Sequence, residues 1–529
     1  MQPPDDLDAL EAQLDPAARY VVKLLRQSLD QMKAMLAERD TQIAQLTEQL
    51  AEMKRMLFGK RSEKLPPIES EVRRVVEADE LTVDGSPMPV EAEARNRERR
   101  RKARKASEPA RQTKRGLRKN LPIVQQRVVV DPDQLPKGYA RDDFRAVGES
   151  EVVRRIEHVR EHLVVVEYVL ETLASKDGDH IVKARPPLGV IEGGHYGPGL
   201  YAHVITAKCA DSLPLYRIER MLERAGCPIA RSTLCDLFHR AAELLMPIYE
   251  RLLNVARHDP YVHADETTLK VQAKGQCWTG WVWTVLCKQA IAYVFDKSRG
   301  GGVAQRLLGG TQGCLVIDGY SAYNSITSLD GRERVGCWAH ARRKLFEAMA
   351  TVPEAREALD LIVKLYRIEH DAAENDLLGT EAHGLLRHTE SRKVVRDFEA
   401  WVDARKNKYP PKSKMGAAIT YATRQRKALE RFLDDPRLPL DNNVAERALR
   451  IVALGRKNFL FAGHVEGAQN LAVLQTVVAT CSLHHVNPYE YIKDLLIRMQ
   501  TLPISQIEDV LPWNWRPPPN EPAPAVESS

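Results

Sequence analysis

Tyr261-Val262-His263-Ala264-Asp265-Glu266-Thr267-Thr268-Leu269-Lys270-Val271 is the stretch that decides the fold. Its β-branched and aromatic residues predict a strand, and two more strand-forming runs, Trp278 to Cys287 and Ala290 to Phe295, follow after short breaks. Three adjacent runs of this kind predict an antiparallel meander. After a helical pattern at Val303 to Leu308, the apolar run Cys314-Leu315-Val316-Ile317 stops at Asp318-Gly319. A buried central strand that ends by presenting a carboxylate reads this way. Side chains alternate along a strand, so His263, Asp265 and Thr267 share one face and Ala264 and Glu266 the other. Asp265, not Glu266, is the candidate that pairs with Asp318.

Downstream, Leu438-Pro439-Leu440-Asp441-Asn442-Asn443-Val444-Ala445-Glu446-Arg447 predicts a helix capped by Asp441 or Asn442, with Glu446 on its second turn. Between Asp318 and this helix lie a helical stretch at Ala341 to Ala348 and three more, Glu354 to Glu374, Glu381 to Lys408 and Ser413 to Leu433. The latter three read as an all-helical insertion. Each acid alone has an ordinary explanation: Asp before Gly is a turn residue, and Glu446 beside Arg447 a surface ion pair. Two strand-end acids followed by a helical acid point further. Clustered carboxylates stay ionised only if cations neutralise them, which selects Mg2+ or Mn2+. Two such ions ~4 Å apart could activate a water or 3′-hydroxyl and stabilise the leaving oxygen in phosphodiester displacement.

Further along, Leu471 to Thr480 and Tyr489 to Met499 continue a helical pattern, and Pro517 to Ser529 reads as a tail. His484-His485 near Cys481 lacks further ligands at metal spacing and reads as structural. Upstream, Leu215 to Arg224, the turn Ala225-Gly226-Cys227-Pro228 and Ser232 to Leu245 predict helix, turn, helix. Ser232 is the expected N-cap of the second helix, whose exposed face would offer Arg231, Asp236, His239 and Arg240 to DNA. Short strands at Val124 to Val130, Val152 to Ile156 and His162 to Leu173 predict a small β-rich module. Residues 65–120 read as a disordered linker. Within it, Arg95 to Lys119 holds thirteen Lys/Arg and two acids, net +11 against +6 overall, so the rest of the chain is net −5. Arg99, Arg100, Arg101 and Lys102 lie in this arm, which suits phosphate binding. Leu25, Leu29, Met32, Leu36, Ile43, Leu46, Leu50, Met53 and Leu57 recur at 3.5-residue spacing, broken at Arg39, and predict a coiled coil ending at Gly59. The alternative is an amphipathic helix folded back on its own chain.

The 529 residues allow several domains. No apolar run reaches the ~18 residues of a membrane helix, and Met1 to Asp6 lacks signal-peptide character, so a cytoplasmic, nucleoid-associated protein is expected. Eight scattered cysteines contain no Cys-x-x-Cys pair and read as reduced.

These motifs, together with Cys337-Trp338-Ala339-His340-Ala341-Arg342-Arg343-Lys344, Gly455-Arg456-Lys457-Asn458, Leu57-Phe58-Gly59-Lys60-Arg61-Ser62-Glu63-Lys64, Leu213-Pro214-Leu215-Tyr216-Arg217 and Leu511-Pro512-Trp513-Asn514-Trp515, closely resemble those of the transposases of bacterial insertion sequence 66. The resemblance covers nearly the whole chain. It implies a multidomain α/β protein with a ribonuclease H-like core of the Asp-Asp-Glu type, in which Asp265, Asp318 and Glu446 bind the metals. His340, Arg342, Arg343, Arg456 and Lys457 fall in matching motifs, where phosphate contacts are expected. The family commonly carries a cysteine-rich zinc module; here Gly138 to Phe144 stands where its first cysteine pair would be, so no structural zinc is expected.

The implied order is an N-terminal tail (1–19), coiled coil (20–64), linker with basic arm (65–120), β-rich module (121–192), helix-turn-helix region (193–256), core (257–348), helical insertion (349–435), core with the Glu446 helix (436–465), C-terminal helices (466–510) and tail (511–529). The expected activity is cleavage of element ends and their joining to target DNA, by a homo-oligomer with helper proteins of the same element. The competing readings are a nuclease that hydrolyses without joining and a non-catalytic DNA-binding protein.

Overall fold

The computed structural model describes residues 194–327 and 331–518, and upstream of these only residues 18, 22–23, 27–35, 38–39, 42, 68, 163, 165–166, 172–174, 181–183 and 188–191. The chain divides into two compact units, residues 1–78 with 167–529 and residues 79–166. Every element below belongs to the first. The basic arm, including Arg99, Arg100, Arg101 and Lys102, lies outside the described residues, as do the strands expected at Val124 to Val130 and Val152 to Ile156 and the C-terminal part of the coiled coil. Residues 27–35 are helical and leave Leu29, Met32 and Met35 at least half exposed. Within the linker, Ile68 departs from expectation: it is helical and buried against Val363. Of the run His162 to Leu173, Leu163, Val165 and Val166 are exposed and outside any strand. Its last two residues, Thr172 and Leu173, enter a hairpin of β1 (Thr172–Ala174) and β2 (Ile181–Lys183).

Directly before the main sheet come α1 (Pro198–Cys209), α2 (Leu215–Arg224), α3 (Arg231–Leu244) and α4 (Met246–His258). The sheet is mixed. β3 (Tyr261–Ala273), β4 (Gln276–Leu286) and β5 (Ile291–Asp296) form the expected meander. After α5 (Gly301–Leu308) the chain crosses to the far side of β3, where β6 (Cys314–Val316) runs parallel to it. A short parallel edge strand, β7 (Glu333–Val335), completes the order β5-β4-β3-β6-β7. α6 (Trp338–Met349), α7 (Ala355–Glu374), α8 (Glu381–Leu386), a π-helical turn (Arg387–Ser391), α9 (Arg392–Asp403), α10 (Lys414–Arg424) and α11 (Arg426–Glu430) follow. The chain then returns to the sheet as α12 (Asn443–Phe459), α13 (Val465–Leu483) and α14 (Pro488–Arg498).

Apolar alternation explains why both faces are covered. Val262 and Ala264 of β3 and Leu315 and Ile317 at β6 face a core built with α1 to α5, α13 and α14. On the opposite face, Leu269 and Val271 pack under Leu449 and Val452 of α12, and Val316 packs against Trp338 and the helices of residues 355–433. The helical block therefore shares its core with the sheet.

Two devices fix β6 beside β3. Arg332 is fully buried and donates to Thr311 Oγ1 and to the carbonyls of Arg257, Asp259 and Cys314 at 2.7–3.0 Å. Gly313 has φ 101°, and a Cβ there would lie 2.5 Å from the Pro260 carbonyl oxygen, so only glycine fits. Among the described residues no helix is long and apolar enough to cross a membrane. All eight cysteines are free.

Candidate functional site

The register of β3 against β6 pairs His263 with Val316. Asp265 comes two residues further along β3, and Asp318 two residues further along the other segment, just past the end of β6. Val262, Ala264 and Glu266 are buried on the opposite face of β3 while His263, Asp265 and Thr267 are half-buried, as alternation requires. Burial pushes the Asp265 carboxyl up to about 7; the negative charges of Glu266, Asp318 and Glu446 push the same way, and the Glu266 N–H bond opposes them. Asp265 thus lies within electrostatic reach of Asp318 and Glu446.

Glu266 has a different role. Only 2% of its side chain is exposed, and it accepts two hydrogen bonds from Arg299 (2.9 and 2.7 Å) and one from the Tyr323 hydroxyl (2.9 Å). The Arg299 guanidinium also lies over Tyr320 and Trp281, 4.0 and 4.8 Å from the ring centroids. Tyr320 and Tyr323 belong to the loop that Asp318 opens, and Tyr320 N–H donates to Asp318 Oδ1. The Glu266 cluster therefore ties the strand bearing Asp265 to the loop bearing Asp318.

Glu446 lies on the first turn of α12, not the second, because that helix begins at Asn443. Asn442 occupies the N-cap position, but its side chain caps nothing. It is buried; its Nδ2 donates to the Ala264 carbonyl at 2.8 Å, and its Oδ1 lies 2.9 Å from His263 Nδ1. An amide oxygen only accepts, so His263 carries its proton on Nδ1. Asp441 accepts from the Tyr366 hydroxyl at 2.7 Å. The Asn442 bonds anchor the start of the Glu446 helix to the strand of Asp265, and the Asp441 bond anchors it to α7. The Asp-Asn-Asn run before the helix was the signal; reading it only as a cap missed the inter-element bond.

The other expected contacts divide. Arg343 Nη2 lies 3.2 Å from both Glu446 oxygens, and His340 Nε2 lies 3.8 Å from Oε1. Burial holds the His340 imidazole below its ordinary pKa, and its Nδ1 is buried without a hydrogen-bond partner. Arg342 is 4% exposed on the inner side of α6, so it is not presented to a surface phosphate. Arg456 Nη1 is turned onto β3, donating to Thr267 Oγ1 and to Thr268 O and Oγ1 at 2.7–3.1 Å. Lys457 is exposed. In the helix pair, Ser232 is not the cap: α3 starts at Arg231, whose N–H is satisfied by Glu219 Oε1 at 2.9 Å. Arg231 and Arg240 are exposed, Arg240 pairing with Glu243 at 2.9 Å. His239 faces inward, against Asn470 and stacked on His464. His484 bonds to the Gln289 carbonyl and packs on Trp513, as a structural residue does.

Among the described residues, no group of three or more His, Cys, Asp or Glu side chains converges closely enough to hold a metal ion. Hard oxygen donors with a crowded, partly desolvated Asp265 are nevertheless the donor set for which a divalent cation is chemically suited.

The described residues define an α/β protein built on a five-stranded mixed sheet, with Asp265 on β3, Asp318 just past the end of β6 and Glu446 on a helix packed over the same face. The sequence profile described as "Transposase IS66 family" matches residues 193–470, the IS66 C-terminal element matches 476–513, and the profile described as "Transposase C of IS166 homeodomain" matches 45–130. The chain belongs to the IS66 transposase family. It is 31% identical to "Uncharacterized protein y4qI" of Sinorhizobium fredii, covering 97% of this chain and 98% of the relative. "Uncharacterized protein y4jD" of the same organism is 29% identical, over 93% and 97%.

Proposed function

We propose that this transposase cleaves the ends of its insertion sequence and joins them to target DNA, with Asp265, Asp318 and Glu446 as the residues that hold two Mg2+ or Mn2+ ions. The observation that carries the reading is the register of β3 and β6, which pairs His263 with Val316, two residues before Asp265 and Asp318, with the helix of Glu446 packed over the same face of β3. The strand order, with one strand antiparallel beside a central parallel pair, supports a ribonuclease H-like core. The bound ions would supply Lewis-acid activation of the attacking oxygen and charge neutralisation at the leaving one. The chain's own residues do the rest: Asn442 fixes the Glu446 helix, the Glu266 cluster fixes the Asp318 loop, and Arg343 neutralises Glu446.

The basic arm adds sequence-independent phosphate attraction, and the coiled coil pairs two copies so that two DNA ends are handled together. Helper proteins of the same element complete the proposed assembly. Labelled element ends mixed with a target plasmid and Mg2+ test it. Joined products are expected, and should vanish in Asp265→Asn, Asp318→Asn and Glu446→Gln with DNA binding retained. Cleavage without joining would favour a nuclease, binding without cleavage a non-catalytic protein, and undiminished joining by the variants would overturn the assignment.

A further inference from the structure

In the helix pair, the first helix carries the more one-sided charge. At ~100° per residue, Arg217, Arg220 and Arg224 of α2 fall within an arc of about 60° and along ~10 Å of the helix. All three are exposed, as is Met221 beside them. Ile218 and Leu222 are the buried residues of α2 and lie on the opposite side. Tyr216, 39% exposed, flanks the stripe, with the Arg217 and Arg220 guanidinium groups 5.8 and 6.0 Å from its ring centroid. Of the acids of α2, Glu219 is turned to the N-terminus of α3, and Glu223 is exposed at the edge of the stripe, three residues on from Arg220, which leaves the exposed face net positive.

The second helix is differently committed. Its exposed charged residues are Arg231, Asp236, Arg240 and Glu243, which sum to zero, and Arg240 is bonded to Glu243. Its half-buried side faces α13, through His239 against Asn470 and His464. The turn between the helices holds Gly226 at φ 87°, a left-handed conformation, and leaves both helix ends at the surface.

We infer that α2, through Arg217, Arg220 and Arg224, is the surface of this helix pair that seats on the phosphate backbone of duplex DNA, with Tyr216 holding two of the guanidinium groups in place. The inference rests on the DNA-processing role proposed above. Three arginines spread over ~10 Å of one helix face present a positive stripe to a polyanionic backbone, and guanidinium groups suit bidentate phosphate contact.

The test is fluorescence anisotropy of the full chain on a labelled duplex of mixed sequence, across a salt series. Each phosphate contact contributes ~0.9 to the slope of log K against log salt. Changing Arg217, Arg220 and Arg224 together to Ala should lower the slope by ~2–3 and weaken binding at physiological salt by more than tenfold. Changing the same three to Lys should restore most of the slope, which separates charge from any loss of folding. Arg231→Ala with Arg240→Ala should leave the slope nearly unchanged. An unaltered slope in the triple Ala variant, or a larger loss in the Arg231 and Arg240 variant, overturns the inference while wild-type binding upholds the DNA-processing role. Failure of the wild-type chain to bind duplex DNA would instead remove that role and the inference with it.

Discussion

Replacing Asp265 with Asn removes one negative charge from a group that includes Glu266, Asp318 and Glu446, while keeping the side-chain shape and the oxygen that accepts the Glu266 N–H bond. The folded chain holds this carboxyl at about 7, against an ordinary 3.8. A carboxyl raised on folding favours the folded state below its unfolded pKa, and that contribution is lost as pH climbs to the folded value. The window therefore runs from 3.8 to about 7 and is flat above it. At ~1.4 kcal/mol per pH unit the whole span is worth ~4 kcal/mol, of which roughly 2–3 kcal/mol falls between pH 5 and 8. Urea unfolding of wild type and Asp265→Asn in EDTA at both pH values measures it. The variant should be the more stable at pH 8, with an advantage that shrinks by that amount at pH 5. Adding Mg2+ at pH 8 should stabilise the wild type and leave the variant nearly unchanged, because a cation favours the ionised acid. An equal stability difference at pH 5 and pH 8 would refute the claim that crowded, desolvated carboxylates define this site.

Asn442→Ala should destabilise the fold by ~2–4 kcal/mol, since it leaves His263 Nδ1 and the Ala264 carbonyl without their partner; loss of less than ~1 kcal/mol in urea unfolding would count against the anchoring role. Arg299→Ala should be worse than Glu266→Gln, by ~2 kcal/mol or more, because it strands a buried carboxylate. Burial already raises the Glu266 pKa despite Arg299, so the loss should grow from pH 5 to pH 8; a pH-independent loss would contradict the sign. Arg332→Met should cost ~3 kcal/mol by removing the donor to three carbonyls and to the Thr311 hydroxyl, which keeps its own bond to the Leu308 carbonyl. Denaturant midpoints within error of wild type would show that those groups find other partners.

Local periodicity was enough for much of the architecture. Period-two runs located β3, β4 and β5, the abrupt end of an apolar run located β6 and Asp318, and alternation alone chose Asp265 over Glu266. These features are set by near neighbours in the chain, so they survive in the sequence. The three residues of β7 carried no readable period. Nor did α1 stand out, because it buries residues around most of its circumference and so lacks an amphipathic stripe. The same limit applies to side-chain roles. The sequence separations of 33 from Glu266 to Arg299 and 179 from His263 to Asn442 are closed only by tertiary packing. Packing alone also decided that Arg342 is buried and that Arg456 is spent on β3. Residue order specified which acids are available; the sheet register and the return of α12 after the helical block decided which face of the sheet each acid is carried to, because the placement of distant segments depends on how whole elements pack.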